Sequence, residues 1–256
     1  MGSLANKGKW RVPLFMENLT EWLRRVAVVL NDLVDSAVNK WDAVFPKGKT
    51  YGLKVDVDNP TFPWKDLLGA ISIRGTGATD PSYNVYRGSV RGYQFDAGEE
   101  VFIEFHVPHD HASGTDIYIH FHHSVNGKNT AGVSAGTIHA TSRVTWAAEW
   151  LYSKGHNQQA FSSPLTITAT SSLMSKTLYQ HYITEVQLSA GTPAANQLDT
   201  DLIEPDGLLL VRGYLLNTSI SASSGATKAA PFLHFIDIHY QSTDIGTKSK
   251  SPDFWT

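Results

Sequence analysis

The chain has 256 residues, no cysteine and a formal net charge of −3, with 18% charged and 41% hydrophobic residues. Without cysteine, disulfide stapling, thiolate catalysis and Cys-ligated zinc are excluded. The 21 Lys and Arg and 24 Asp and Glu are spread along the chain, giving no basic stripe for nucleic acid and no acidic tail.

Residues 1–16 read as a short arm containing Gly2, Gly8 and Pro13, with Trp10, Leu14 and Phe15 as anchors. No apolar run of signal-peptide length follows the first positive residues, so no secretory leader is expected. Asn18 is a suitable N-cap, and Glu21 three residues later fits a capping box. The pattern from there predicts one long amphipathic helix over 17–45. A heptad seam falls on Leu19, Leu23, Val26, Leu30, Leu33, Ala37, Lys40 and Val44, in alternating steps of four and three; all but Lys40 are apolar. Trp22, Val29, Val34, Val38, Trp41 and Phe45 widen that face beyond a two-helix seam. The anchoring or oligomer interface is therefore assigned to Leu19, Leu23, Val26, Leu30, Leu33, Ala37 and Val44. The most apolar stretch, Val26 to Leu30, sits between Arg24-Arg25 and Asn31-Asp32. It falls far short of the roughly 20 residues that span a bilayer, so no membrane association is expected.

Pro46 and Gly48 end the helix. Residues 46–66, with Asn59-Pro60 and Pro63, read as an extended linker. From 67 to 241 short runs recur between turn signals: Ile71 to Arg74, Val90 to Phe95, Val101 to Val107, Ile117 to His123, Arg143 to Tyr152, Leu165 to Ala169, Leu178 to Leu188, Leu208 to Leu216 and Phe232 to Tyr240. Several alternate with period two. Val101, Ile103, Phe105 and Val107 share one face, as do Val144, Trp146, Ala148, Trp150 and Tyr152. Strands without intervening helices predict a mainly β chain, an antiparallel jelly-roll-like β-sandwich preceded by one long N-terminal α-helix. Residues 242–256 form a polar tail closing on Phe254-Trp255.

Histidine is the enriched titratable type, eleven in all. His106, His109, His111, His120, His122 and His123 cluster in sequence. On a strand, His120 and His122 point to one face about 7 Å apart, a spacing that can bring two imidazoles to one metal. Gly114, His120 and His122 also match the opening of the cupin metal motif. Asn126 and Gly127 stand where that motif has Glu, and Leu210 where its second half has His. A catalytic zinc needs three protein ligands. The imidazoles are therefore assigned structural partners, whether strand backbone, Asp110, Asp116 or a symmetry mate, and no metal or cofactor is expected. Glu104 and Glu149 would be the carboxylates of a glycosidase-like pair, but two acidic residues on separate strands of a sandwich are commonly solvated. No Gly-x-Ser-x-Gly elbow and no phosphate-cradling glycine loop occurs. No catalytic residue is assigned, and no enzymatic activity is expected.

Several strings carry a resemblance. They are Arg74-Gly75-Thr76-Gly77-Ala78-Thr79-Asp80-Pro81, Phe105-His106-Val107-Pro108-His109-Asp110, Ile117-Tyr118-Ile119-His120-Phe121-His122, His181-Tyr182-Ile183-Thr184-Glu185-Val186-Gln187-Leu188 and His239-Tyr240-Gln241-Ser242-Thr243. In these, the chain resembles a family of tailed-bacteriophage virion structural proteins, from the linker to the last residue. The resemblance implies membership of a virion assembled in the host cytoplasm, with other virion proteins as partners. Together with the helix it predicts a self-associating, trimeric, helix-anchored sandwich: a head (capsid) decoration, a collar piece or a tail or fibre component. The trimer rests on analogy with jelly-roll appendages. A receptor- or glycan-binding module of a phage fibre, recognising a host-surface glycan, is the second expectation. A cupin-like metal-dependent enzyme is the third.

Overall fold

The computed structural model describes residues 62–73, 80–135, 138, 139, 141–155, 159–172, 177–220 and 228–243. Nearer the N-terminus it describes Leu23, Val26, Ala27, Val28, Leu30 and the backbone of 43–45 and 53–55. The chain divides into two compact units, Met1–Thr61 and Phe62–Thr256.

In the first unit, Leu23, Val26, Ala27, Val28 and Leu30 are helical. The helix expected over 17–45 does not reach its predicted end. Ala43–Phe45 is a strand (β1) paired antiparallel with Leu53–Val55 (β2), Val44 opposite Lys54. Val44 is thus removed from the helical seam, and the linker contains a strand. The physical reason lies in the residues: Val44 and Phe45 favour extended backbone. Leu19, Leu33, Ala37, the arm 1–16 and the Phe254-Trp255 tail lie outside the described residues.

The second unit is built from antiparallel strands. Its first sheet takes Trp64–Gly69 (β3), Ser82–Arg87 (β4), Val90–Gln94 (β5), Ile117–Val125 (β7), Tyr182–Gln187 (β10) and Pro231–Gln241 (β14). The order is β10-β7-β14-β5-β4, and β3 pairs with β14 along the same edge as β5. The second sheet takes Glu100–His106 (β6), Arg143–Ser153 (β8), Leu165–Ser172 (β9) and Leu208–Thr218 (β13), in the order β6-β13-β8-β9. Ser189–Ala190 (β11) and Leu198–Asp199 (β12) add a small parallel pair. After β3 the chain crosses between the sheets: Ser72 and Phe102 exchange two backbone hydrogen bonds, each 2.9 Å.

Period-two alternation explains why both sheets share one core. Ile119, Phe121, Ile236 and Ile238 from the first sheet meet Ile103, Phe105, Trp146, Trp150 and Val211 from the second, all essentially fully buried. Trp146 holds the centre, stacked on Phe121 at 5.5 Å and edge-on to Phe95 at 5.3 Å. Burying each such side chain stabilises by roughly 1.5–3 kcal/mol. At Gly213 on β13, an added Cβ would stand 2.6 Å from Ile236 Cδ1, so the two sheets approach as closely as they do because this position is bare.

Candidate functional site

Side chains that alternate away from the core form two outer faces of different chemistry. On the first sheet, β7 presents Tyr118, His120, His122 and Ser124, the i, i+2 spacing that put the two histidines on one face. The strand register then supplies what local sequence could not. His120 lies opposite Glu185 of β10 on one side and opposite Asp237 of β14 on the other. His120, His122 and Asp237 are nonetheless buried, at 7%, 7% and 3% exposure.

The contacts in this cluster are specific. His120 Nε2 is 3.0 Å from Glu185 Oε2, and its Nδ1 is 3.5 Å from Asp237 Oδ1. His122 Nε2 is 3.4 Å from Asp237 Oδ2, while its Nδ1 shares a 2.9 Å hydrogen bond with His181 Nε2. Phe235 stacks on the His122 ring at 3.9 Å. His239, opposite Asp66 of β3, packs edge-on against His120 at 4.9 Å. Burial lowers the His239 pKa against the pull of Asp66, and burial with neighbouring imidazoles lowers those of His181 and His234. One ligand-type atom each from His120, His122 and Asp237 lie within 4.8 Å of one another; Asp66, His120 and His239 make a second such group. These are the residues that could hold a metal ion.

The other clustered histidines have separate fates. His123 points inward, fully buried, paired with Thr184 Oγ1 at 2.8 Å. Burial pushes its pKa down to about 3, so it is a neutral core residue. His106 and His109 lie at the surface, 2.9 and 3.1 Å from Asp206 Oδ1. His111 is buried beside Tyr240. Of the carboxylates named from the sequence, Asp110 pulls the His111 pKa up against the larger effect of burial. Asp110 binds Lys65, accepts from Ser242 Oγ at 2.7 Å and from Tyr240 at 3.1 Å, and is held below its ordinary pKa by these groups against the effect of burial. Asp116 accepts from Gln187 at 2.9 Å. The Asp110 contacts also fasten Ser242 and Thr243, the first residues of the expected tail, to the second unit.

On the second sheet, the outer face carries Glu104, Glu149 and Arg212. Arg212 lies between Phe102 and Glu149 in register and binds both Glu100 and Glu149, the latter at 2.9 Å. Burial works against its charge, but the two carboxylates overcome that and raise its pKa. Phe102, Glu104, Leu151, Pro164, Leu210 and Arg212 line a groove of about 350 Å³. The suspected Glu104/Glu149 pair therefore does share one site, with Glu149 committed to Arg212.

Fold and faces together define a mainly β protein of antiparallel sheets. No family model matches the chain, and no curated protein does. Among solved structures it is similar to a Paenibacillus sp. cycloisomaltooligosaccharide glucanotransferase complexed with cycloisomaltoheptaose, at 10% identity and a TM-score of 0.28. That alignment covers 67% of this chain and 18% of the other, so this chain spans under a fifth of that enzyme. A likeness at this TM-score carries no argument about function.

Proposed function

We propose that this protein is a bacteriophage virion structural protein. Its N-terminal helix joins subunits, as a trimer, or seats them on neighbouring virion proteins. A jelly-roll-like sandwich then projects as a head decoration, collar or tail-fibre component, assembled in the host cytoplasm. The observation that carries this reading is the exposure of the seam. Leu23 and Leu30, one heptad apart on helical backbone, are 51% and 52% exposed, with Val26 between them half-buried. Large apolar side chains repeated along one helix are covered by another surface when the protein works. The resemblance in the sequence strings and the division into two compact units support the same reading.

Light scattering tests it. The full chain is expected as an oligomer, and Leu23→Asp with Leu30→Asp as a monomer that still melts cooperatively, because a charge in an apolar seam is costly. An unchanged mass in the double variant, or a monomeric parent, would refute the helix as an interface.

A second reading follows from the groove on the outer face of the second sheet. Its acidic and guanidinium groups beside Phe102 offer hydrogen bonds and an apolar platform of the kind a glycan uses. Binding of the full chain to a glycan array, lost in Arg212→Ala, is the result that would favour a receptor-binding module.

A further inference from the structure

Counting protons across the row Glu185–His120–Asp237 exposes a gap. A neutral imidazole has one N–H and one lone pair, and a carboxylate has only lone pairs. Beside Glu185 Oε2 at 3.0 Å, His120 Nε2 donates. Its Nδ1 then faces Asp237 Oδ1 at 3.5 Å, too far for a strong hydrogen bond whichever way the proton sits. On the next pleat, His122 Nε2 faces Asp237 Oδ2 at 3.4 Å. Neither His122 Nε2 nor Asp237 Oδ1 has a hydrogen-bond partner among the described residues, and both are buried. Buried polar atoms in native proteins are partnered, and a buried carboxylate is paired or coordinated.

The separations decide what fits between them. Charge-assisted N–H···O hydrogen bonds run about 2.7–2.9 Å, shorter than either gap. Ligands about 2.1 Å from a tetrahedral ion stand about 3.4 Å from one another, which matches His120 Nδ1 to Oδ1 and His122 Nε2 to Oδ2, the two oxygens of one carboxylate. We propose that His120 Nδ1, His122 Nε2 and an Asp237 carboxylate oxygen bind one divalent transition-metal ion, of which zinc is the probe. Glu185 and His181 hold the remote ring nitrogens, the arrangement by which outer carboxylates and imidazoles orient metal-ligating histidines. Two imidazoles with a single carboxylate suit zinc-like ions; calcium and magnesium prefer sites built mainly from oxygen. Asp66, His120 and His239 converge as well, but Asp66 is exposed and His120 is shared, so one ion is assigned, at the buried set. Three protein ligands leave a position for water or an outside ligand. The ion would clamp β7 to β14 at the centre of the first sheet.

The test uses the full chain purified without an affinity tag, stripped with chelator, loaded with zinc and gel-filtered before elemental analysis. About one zinc per chain is expected to stay bound. His122→Gln and Asp237→Asn should each weaken binding at least about 100-fold, and Glu185→Gln about 10-fold. His106→Ala with His109→Ala, which removes the surface pair on Asp206, should leave stoichiometry unchanged. No retained zinc in the parent protein overturns the proposal, whatever the variants do. Parent-like binding by both His122→Gln and Asp237→Asn overturns it, and so does loss of zinc in the surface variant. Should Asp237→Asn fail to fold, His122→Gln and Glu185→Gln carry the test.

Discussion

The two sheets turn comparable charges outward and treat them differently. On the second sheet, Glu100, Arg212 and Glu149 form a completed network: one guanidinium satisfies two carboxylates beside a groove. On the first sheet, Asp237 sits between two imidazoles at distances too long for strong hydrogen bonds, with Oδ1 unpartnered. The first arrangement is finished by the chain itself; the second leaves buried polar atoms without a complement among the described residues. The lesson is that burial alone does not distinguish a structural ion network from a ligand site. What distinguishes them is whether every buried donor and acceptor has its complement.

That contrast predicts opposite responses to mutation. Arg212→Met leaves Glu100, 5% exposed, without its counter-charge, and should cost about 3 kcal/mol in urea unfolding. Between the faces, Gly213→Ala would push against Ile236 and Phe121 and should cost about 2 kcal/mol, measured the same way.

Glu99, in the turn before β6, adds a pH term. Burial raises its pKa to about 7, against the hydrogen bond from Asp96 N–H. The folded state therefore holds this proton more tightly than the unfolded chain. Stability from this group is full below the unfolded value of about 4.5 and is lost as pH rises to about 7. Glu99→Gln should remove that loss and be about 1 kcal/mol more stable than the parent at pH 8, after allowance for solvent screening. An identical pH profile in parent and variant would contradict the assignment. Smallest of all, Asp237→Asn in metal-free protein should change stability by only about 0.5 kcal/mol, because the carboxylate is imperfectly paired there. A loss comparable to that of Arg212→Met would make Asp237 a structural ion-pair residue.

Much of the second unit was readable because its strands obey period-two alternation. Val101 to Val107 and Val144 to Tyr152 face inward as their patterns require. β3, β4, β11 and β12 lie outside the expected runs, and the expected run Ile71 to Arg74 gives only the bridge at Ser72. In β4, Tyr83 and Val85 are exposed, so its apolar residues do not mark a core face. β3 begins at Trp64, just after Pro63, and crosses the expected end of the linker at 66. The metal-ligand candidates were half readable. His120 and His122 follow from local spacing, while Asp237 and Glu185 reach them only through the registers of β14 and β10. Non-local pairing leaves no trace in a window of sequence. Asp110 does act on His111 electrostatically, but its side-chain hydrogen bonds come from Lys65, Tyr240 and Ser242, and Asp116 accepts from Gln187.

The most direct measurement is an anomalous difference map at the zinc absorption edge, from crystals of the full chain grown with zinc. A single strong peak about 2.1 Å from His122 Nε2 and from an Asp237 oxygen, and within bonding reach of His120 Nδ1, is the expected result. A peak confined to His106 and His109, or none on the first sheet, would contradict the cation site and leave Asp237 an incompletely paired residue of the sheet.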